Sequence, residues 1–449
     1  MMRQNRELRV GTCACCLLVM CFFGMMASCA KEAEDRGVYN SAYGLYVIDD
    51  EPSAYVSDDA SAGFNSTEQR INGKMNDYAV RMLVDYGKGK NTLLSPVTST
   101  ILYSMMANFT GETKSNSFQN VLGINEFEMK DVNSYCHKLV ARSNDNSASS
   151  LNIQNDLWIK ENESVYNSFL NTSKQYKVQV KGIQFGSSDG NTAMNNSINK
   201  NMKKQNTTGI GRESWSDVKM VVTSSMNLER KWKDRMYVYK GDNARFQNFD
   251  GSYSACEMLR STRNARYASF SSFDVLEIPY EGDDYSMYIV YPHERNRLEQ
   301  SLQELSALGF DNCIELMHDE LVDILFPKFE FQHVMDLNPQ SGSVKADIKN
   351  VYQTKLPKVS PDNFSLSDIY QACHIDINEK GISVTVESGA LEPEIGNGYY
   401  GSSSNQKIGT GGSTVKVEPV IFHVEHPFAV FIRSKVLGII PYACCMNYL

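Results

Sequence analysis

The feature that most restricts the fold lies near the C-terminus. In HIDINEKGISVTVESGA (His374–Ala390), the residues from Ile382 to Glu387 alternate. Ile382, Val384 and Val386 fall on one side, and Ser383, Thr385 and Glu387 on the other, the period of a buried strand. The chain then enters IGNGYYGSSSNQKIGTGGS (Ile395–Ser413). Residues 396–413 hold six Gly and four Ser, so this tract reads as exposed, flexible chain. The fold must therefore supply a sheet for a strand that is joined to a long solvated loop.

The opposite terminus is a targeting segment. Arg3, Arg6 and Arg9 precede an apolar run from Cys15 to Met26, which is of signal-peptide length and too short to span a bilayer. Met26-Ala27-Ser28-Cys29 resembles a bacterial lipoprotein signal, in which the Cys after small residues is lipidated. Lys31, Glu32, Glu34 and Asp35 resemble the acidic tag of some Bacteroidetes surface lipoproteins. The expectation is a signal peptide at 1–28, a flexible tether at 29–65 and one domain at 66–449. The protein would be an outer-membrane lipoprotein on the cell surface, held by a lipid on Cys29, or otherwise secreted or periplasmic.

Residues 1–28 carry three Arg and one Glu, so their removal moves the formal charge from −9 to −11. So acidic a chain has no basic footprint for nucleic acid. Six cysteines follow the signal: Cys136, Cys256, Cys313, Cys373, Cys444 and Cys445. None forms a CxxC, which argues against zinc, and their spacing names no disulfide; most read as core residues.

Helical periodicity marks Glu68–Tyr86, Val97–Thr110, Asn191–Lys204 and Arg297–Leu308. Strand patterns mark Leu151–Ile159, Lys219–Ser224, Val275–Pro279, Tyr285–Tyr291, Leu321–Phe326, Val415–Val424 and Phe428–Ile432. The order lacks the rhythm of a parallel βαβ sheet.

Catalytic signals are weak. Gly186-Ser187-Ser188-Asp189-Gly190 fits G-x-S-x-G, but Ser188 or Asp189 reads better as the cap of the helix near Asn191. His423 and His426, three apart in a strand, face opposite ways and make a poor metal pair. No metal, cofactor or catalytic residue is expected, and the chain does not read as an enzyme.

Several segments in order resemble the serpins, protease inhibitors and their non-inhibitory relatives. They are Asn91-Thr92-Leu93-Leu94-Ser95-Pro96-Val97, Thr110-Gly111-Glu112-Thr113, Lys231-Trp232 and Val275-Leu276-Glu277-Ile278-Pro279-Tyr280 with Gly282–Met287. Phe326-Pro327-Lys328-Phe329, Asn378-Glu379-Lys380-Gly381 and His426-Pro427-Phe428 complete the set. The resemblance implies an α+β fold with three β-sheets, about nine helices and an exposed reactive loop, here about 381–418. It implies a monomer that inhibits serine proteases, and cysteine proteases as a second class, as a suicide substrate. A protease cuts the loop, and the freed strand enters the main sheet.

The resemblance also assigns positions. Glu379, Lys380, Gly381, Ile382, Val384 and Val386 form the hinge, with Gly381 as its bending point. Ser95, Thr98, Ser224 and Gln371 lie beneath the opening sheet, and Trp232 at its top. Family spacing puts the cleaved bond at Ile395-Gly396, with Tyr400-Gly401 and Lys407-Ile408 as alternatives. Three departures stand out: Ile382 replaces a usual Thr or Ser, Ser224 a usual Asn and Gln371 a usual His. The bulky hinge and long loop keep a second reading open, a non-inhibitory surface binding or scaffold protein.

Overall fold

The computed structural model describes residues 36–40, 45–47, 63–110, 116–143, 151, 153–199, 215, 218–225, 228–239, 241, 244–336, 355–361, 364, 368–383 and 418–449. Eight helices occur among them: α1 (Ser66–Tyr86), α2 (Pro96–Ala107), α3 (Asn116–Leu122), α4 (Met129–Ser143), α5 (Asn167–Gln175), α6 (Ser188–Asn199), α7 (Leu298–Leu308) and α8 (Phe310–Glu315). The first strands are β1 (Arg36–Asn40), β2 (Leu45–Val47), β3 (Thr92–Leu94), β4 (Gln154–Lys160), β5 (Val165–Tyr166), β6 (Gln179–Ile183) and β7 (Met220–Ser225). There follow β8 (Arg230–Lys231), β9 (Tyr237–Tyr239), β10 (Arg245–Gln247), β11 (Tyr253–Ala255), β12 (Met258–Ser269), β13 (Phe273–Pro279) and β14 (Tyr285–Pro292). The last are β15 (His318–Pro327), β16 (Phe329–Asp336), β17 (Asp368–Asn378), β18 (Gly381–Ser383), β19 (Val420–His423), β20 (Phe428–Ser434) and β21 (Ile439–Met446).

These strands form three sheets in an α+β arrangement. The main sheet has ten strands in the order β5-β1-β2-β6-β4-β7-β17-β18-β8, with β16 on the other flank of β17. A nine-stranded sheet runs β19-β15-β12-β13-β14-β20-β21-β3, with β9 also on β12. Strands β10 and β11 form a separate hairpin.

Local sequence explains the helix starts. Asn65 Oδ1 accepts from Glu68 N at 2.9 Å, and Glu68 Oε2 accepts from Asn65 N at 2.8 Å, a reciprocal cap that fixes α1. Ser95 caps α2, and Pro96 follows at the first helical position, where its missing N–H costs nothing. Every residue of α2 is buried, so this helix is enclosed on all sides by the fold. Strand β21 is buried at all eight positions and joins the same continuous core.

One departure concerns residues 29–65, read from the sequence as a tether. Strands β1 and β2 lie within them and pair antiparallel. They lie between β5 and β6 in the main sheet, through Arg36↔Tyr166, Gly37↔Val165 and Leu45↔Lys181. The acidic, small residues around them masked both strands in the sequence.

Candidate functional site

The site is a seam in the main sheet. Strands β7 and β17 run parallel and pair from Val221↔Asp368 to Ser225↔Ala372. Strand β18 then turns back on β17, antiparallel, through Asn378↔Gly381, Ile377↔Ile382 and Asp376↔Ser383. It takes the flank of β17 that β7 leaves, and its other side pairs with β8. The chain after Asn378 has thus begun a strand inside the sheet.

The turn into β18 depends on glycine. Gly381 has φ +149°, and a Cβ there would lie 2.0 Å from the Arg230 carbonyl oxygen and 2.7 Å from Lys231 Cα. Backbone crowding of that kind excludes every other residue without movement of β8. Ile382 is only 1% exposed, so its bulk is accommodated at the first inserted position. Val384, Val386, Ile395 and Gly396 lie outside the described residues, as does Cys29.

Trp232 fastens the same turn. Its Nε1 donates to Asn378 O at 2.7 Å, and its backbone N donates to Lys380 O at 3.1 Å. The indole stacks on Tyr280 at 4.8 Å and meets Phe326 edge-on at 6.2 Å. Lys380 N donates to Asn378 Oδ1 at 2.9 Å. Glu379 Oε2 lies 3.1 Å from Lys328 Nζ, which also sits 3.3 Å from Glu257. Burial alone would raise the Glu379 carboxyl, but its own amide and Lys328 together hold it below its usual range. The hinge carboxylate is therefore charged at neutral pH.

Beneath the seam, Gln371 ties β17 to the start of α2. It is buried and opposite Ser224 in register. Its Oε1 accepts from Ser95 N at 2.7 Å; its Nε2 donates to Ser95 O at 2.8 Å, Thr98 Oγ1 at 2.7 Å and Ser99 Oγ at 3.3 Å. The amide thus serves as donor and acceptor at once, which leucine cannot. The Ser224 side chain lies outside the described residues. Ser99 was missed from the sequence, although its place one residue beyond Thr98 on α2 offered a signal. Gln371→Leu is expected to cost roughly 2 kcal/mol in urea unfolding, because it strands buried polar partners.

The other candidates from the sequence do not join this site. Helix α6 starts at Ser188, earlier than its apolar pattern indicated. Its cap is Ser187, whose Oγ accepts from Gly190 N at 3.0 Å, rather than Ser188 or Asp189. Ser187 also donates to Gln184 O at 2.7 Å, which fixes it in the capping position, and Ser188 is exposed in the first turn. His423 Nε2 lies 3.0 Å from Asp323 Oδ2. His426 stacks on Tyr291 at 4.3 Å, and burial lowers its pKa to about 4. The two imidazoles therefore have separate partners. Among the described residues no cluster of His, Cys, Asp or Glu could hold a metal. The six cysteines among the described residues are free thiols, five of them buried.

The main sheet thus combines a short strand begun at a glycine turn, a tryptophan clasp and a polar tie under the seam. The family model for Serpin (serine protease inhibitor) matches residues 74–443. The chain belongs to the serpin family, whose members are typically protease inhibitors rather than enzymes. An uncharacterized serpin-like protein of Methanosarcina acetivorans is 24% identical over 373 residues, covering 78% of this chain and 79% of the relative. Iripin-2 of Ixodes ricinus is 22% identical over 385 residues, covering 82% and 90%. Among solved structures, the thermophilic serpin tengpin in its native state superposes with a TM-score of 0.68 at 17% identity, covering 86% of this chain and 96% of tengpin. Human thyroxine-binding globulin complexed with its hormone gives 0.69 at 18% identity, covering 85% and 99%.

Proposed function

We propose that this serpin inhibits serine proteases, and cysteine proteases as a second class, by acting as a suicide substrate. The observation that carries the reading is the position of β18. It already lies antiparallel on β17, at the point where the parallel β7–β17 pairing ends. Continued entry of the same strand would exchange one parallel ladder for two antiparallel ones, which pair slightly better per residue. Each new backbone hydrogen bond contributes roughly 0.5–1.5 kcal/mol net. The cleaved bond is assigned to Ile395-Gly396.

The family also contains non-inhibitory members, and the surface-scaffold reading draws on the bulk of Ile382. Its complete burial beside Ile377 answers that objection in part, because the sheet seats an isoleucine there.

The proposed setting is the outer face of a bacterial outer membrane, with the monomer held by a lipid on Cys29. The small residues before Cys29 and the acidic ones after it support this placement. Inhibition there would protect the envelope from foreign proteases.

The test is incubation of the mature domain with elastase-, chymotrypsin-, trypsin- and papain-like enzymes, followed by denaturing electrophoresis. A heat-stable band at the summed mass is expected with a serine protease. Cleaved protein beside fully active enzyme, with every protease tried, would favour the scaffold reading.

A further inference from the structure

We infer that Arg230 is a positioning residue for the entering strand: it fixes β8, so that β18 stays in register at the mouth of the seam and a cleaved chain goes on to trap its protease. The inference rests on the proposed function where it concerns trapping; the register is a property of the intact chain.

Few pairs hold β18. Three join it to β17, and two, Lys231↔Gly381 and Arg230↔Ile382, join it to β8. Strand β8 has two residues and so little ladder of its own. Register matters here because neighbouring side chains of a strand face opposite ways, and a slip of one residue would turn Ile382 out of the core it occupies. The wall that sets this register must therefore be held from elsewhere.

It is held by the turn between β13 and β14. Glu281 N donates to Lys231 O at 2.8 Å, and Lys233 N donates to Pro279 O at 3.1 Å. Arg230 adds a side-chain clamp. Its Nη2 lies 3.3 Å from Asp284 Oδ2, and its guanidinium lies 4.7 Å from the Tyr285 ring centroid. Nη1 donates to Glu229 O at 2.8 Å, which fixes the guanidinium against its own backbone. The Arg230 and Asp284 side chains are only 21% and 12% exposed, so salt screens this pair less than a surface pair. Tyr285 is fully buried and cannot swing away.

The clamp acts on the entry point itself. The Arg230 carbonyl oxygen is the atom that a Cβ on Gly381 would meet, so the side chain of Arg230 holds the backbone that makes the glycine obligatory. Strand β8 also follows β7 within a few residues, on the same flank of the seam. When β7 parts from β17, β8 is the part of that flank still tied to the second sheet. Arginine suits the task because its planar group can stack on a ring and donate in its plane at once, which lysine cannot.

The experiment compares the intact mature domain as wild type, Arg230→Ala, Arg230→Lys, Asp284→Ala and Arg230→Ala/Asp284→Ala. Amide hydrogen exchange at residues 230–232 and 380–383 is expected to be about tenfold faster in Arg230→Ala, with β13 and β14 unchanged. With a serine protease that cuts the domain, Arg230→Ala should be cut at the wild-type rate, while the share of cleaved chains in covalent complex falls to about a third. The double variant should be no worse than Arg230→Ala, since both residues act through one contact. Arg230→Lys should fall between Arg230→Ala and wild type. Unchanged exchange would overturn the inference. Faster exchange with a wild-type share of complex would overturn the link to trapping. Additive losses in the double variant, with a lower thermal midpoint, would mean that Arg230 only stabilises the domain and would overturn it too. A wild type that is cut without forming complex would remove the inhibitory reading and leave the exchange rates to decide the register.

Discussion

Cutting the loop at Ile395-Gly396 is expected to raise the thermal midpoint of this serpin by roughly 6 °C. The new strand would begin at Ile382, where β18 is already paired, and run on between β7 and β17. Insertion costs the entropy of ordering, about 1–2 kcal/mol per residue, and returns two ladders plus the burial of Val384 and Val386 at ~25 cal/mol per Å². At about 2.1 cal/mol/K of unfolding entropy per residue, a net gain of ~5 kcal/mol corresponds to a shift of roughly 6 °C for a domain of this size. Differential scanning calorimetry of intact and cleaved protein measures it. An unchanged or lower midpoint would mean that the strand stays outside the sheet.

The second large effect is expected from Gly381→Val. The added Cβ meets the Arg230 carbonyl oxygen at 2.0 Å, and the backbone at φ +149° is strained for any side chain, at a cost of about 1–3 kcal/mol. Either β8 gives way or β18 leaves β17. In both cases the entering strand loses its first fixed point. The variant is expected to be cleaved at the wild-type rate, to form less than about a tenth of the covalent complex, and to show no midpoint gain after cleavage. Wild-type levels of complex would show that entry does not start at this hinge.

The sequence made parts of this device legible for definite reasons. Helical periodicity placed the start of α2 at Val97, one residue inside its observed start at Pro96, where Ser95 is the cap. Strands β13, β14 and β20 were legible as dense apolar runs, and the structure buries nearly all of their positions. Gly381 was legible as a bend, yet only the structure shows that Arg230 and Lys231 make the glycine obligatory.

Other parts were obscured. Strand β12 alternates Arg260, Thr262 and Asn264 with only moderately buried partners, so no apolar period marks it. Strand β17 holds Gln371 and His374 among its buried positions, and polar side chains satisfied from α2 and β16 break the pattern that a reader looks for. The cap of α6 was misplaced by one residue because Ser187 and Ser188 offer the same hydroxyl, and only backbone geometry chooses between them. The partnership of Trp232 with Asn378 joins residues 146 positions apart, a distance over which local pattern carries no information.

The central claim is that the strand starting at Ile382 enters the seam between β7 and β17. A crystal structure of the loop-cleaved protein tests it most directly. The account predicts residues from Ile382 onward lying antiparallel to both strands, with the pairs from Val221↔Asp368 to Ser225↔Ala372 broken. A cleaved protein in which those pairs remain closed would contradict it.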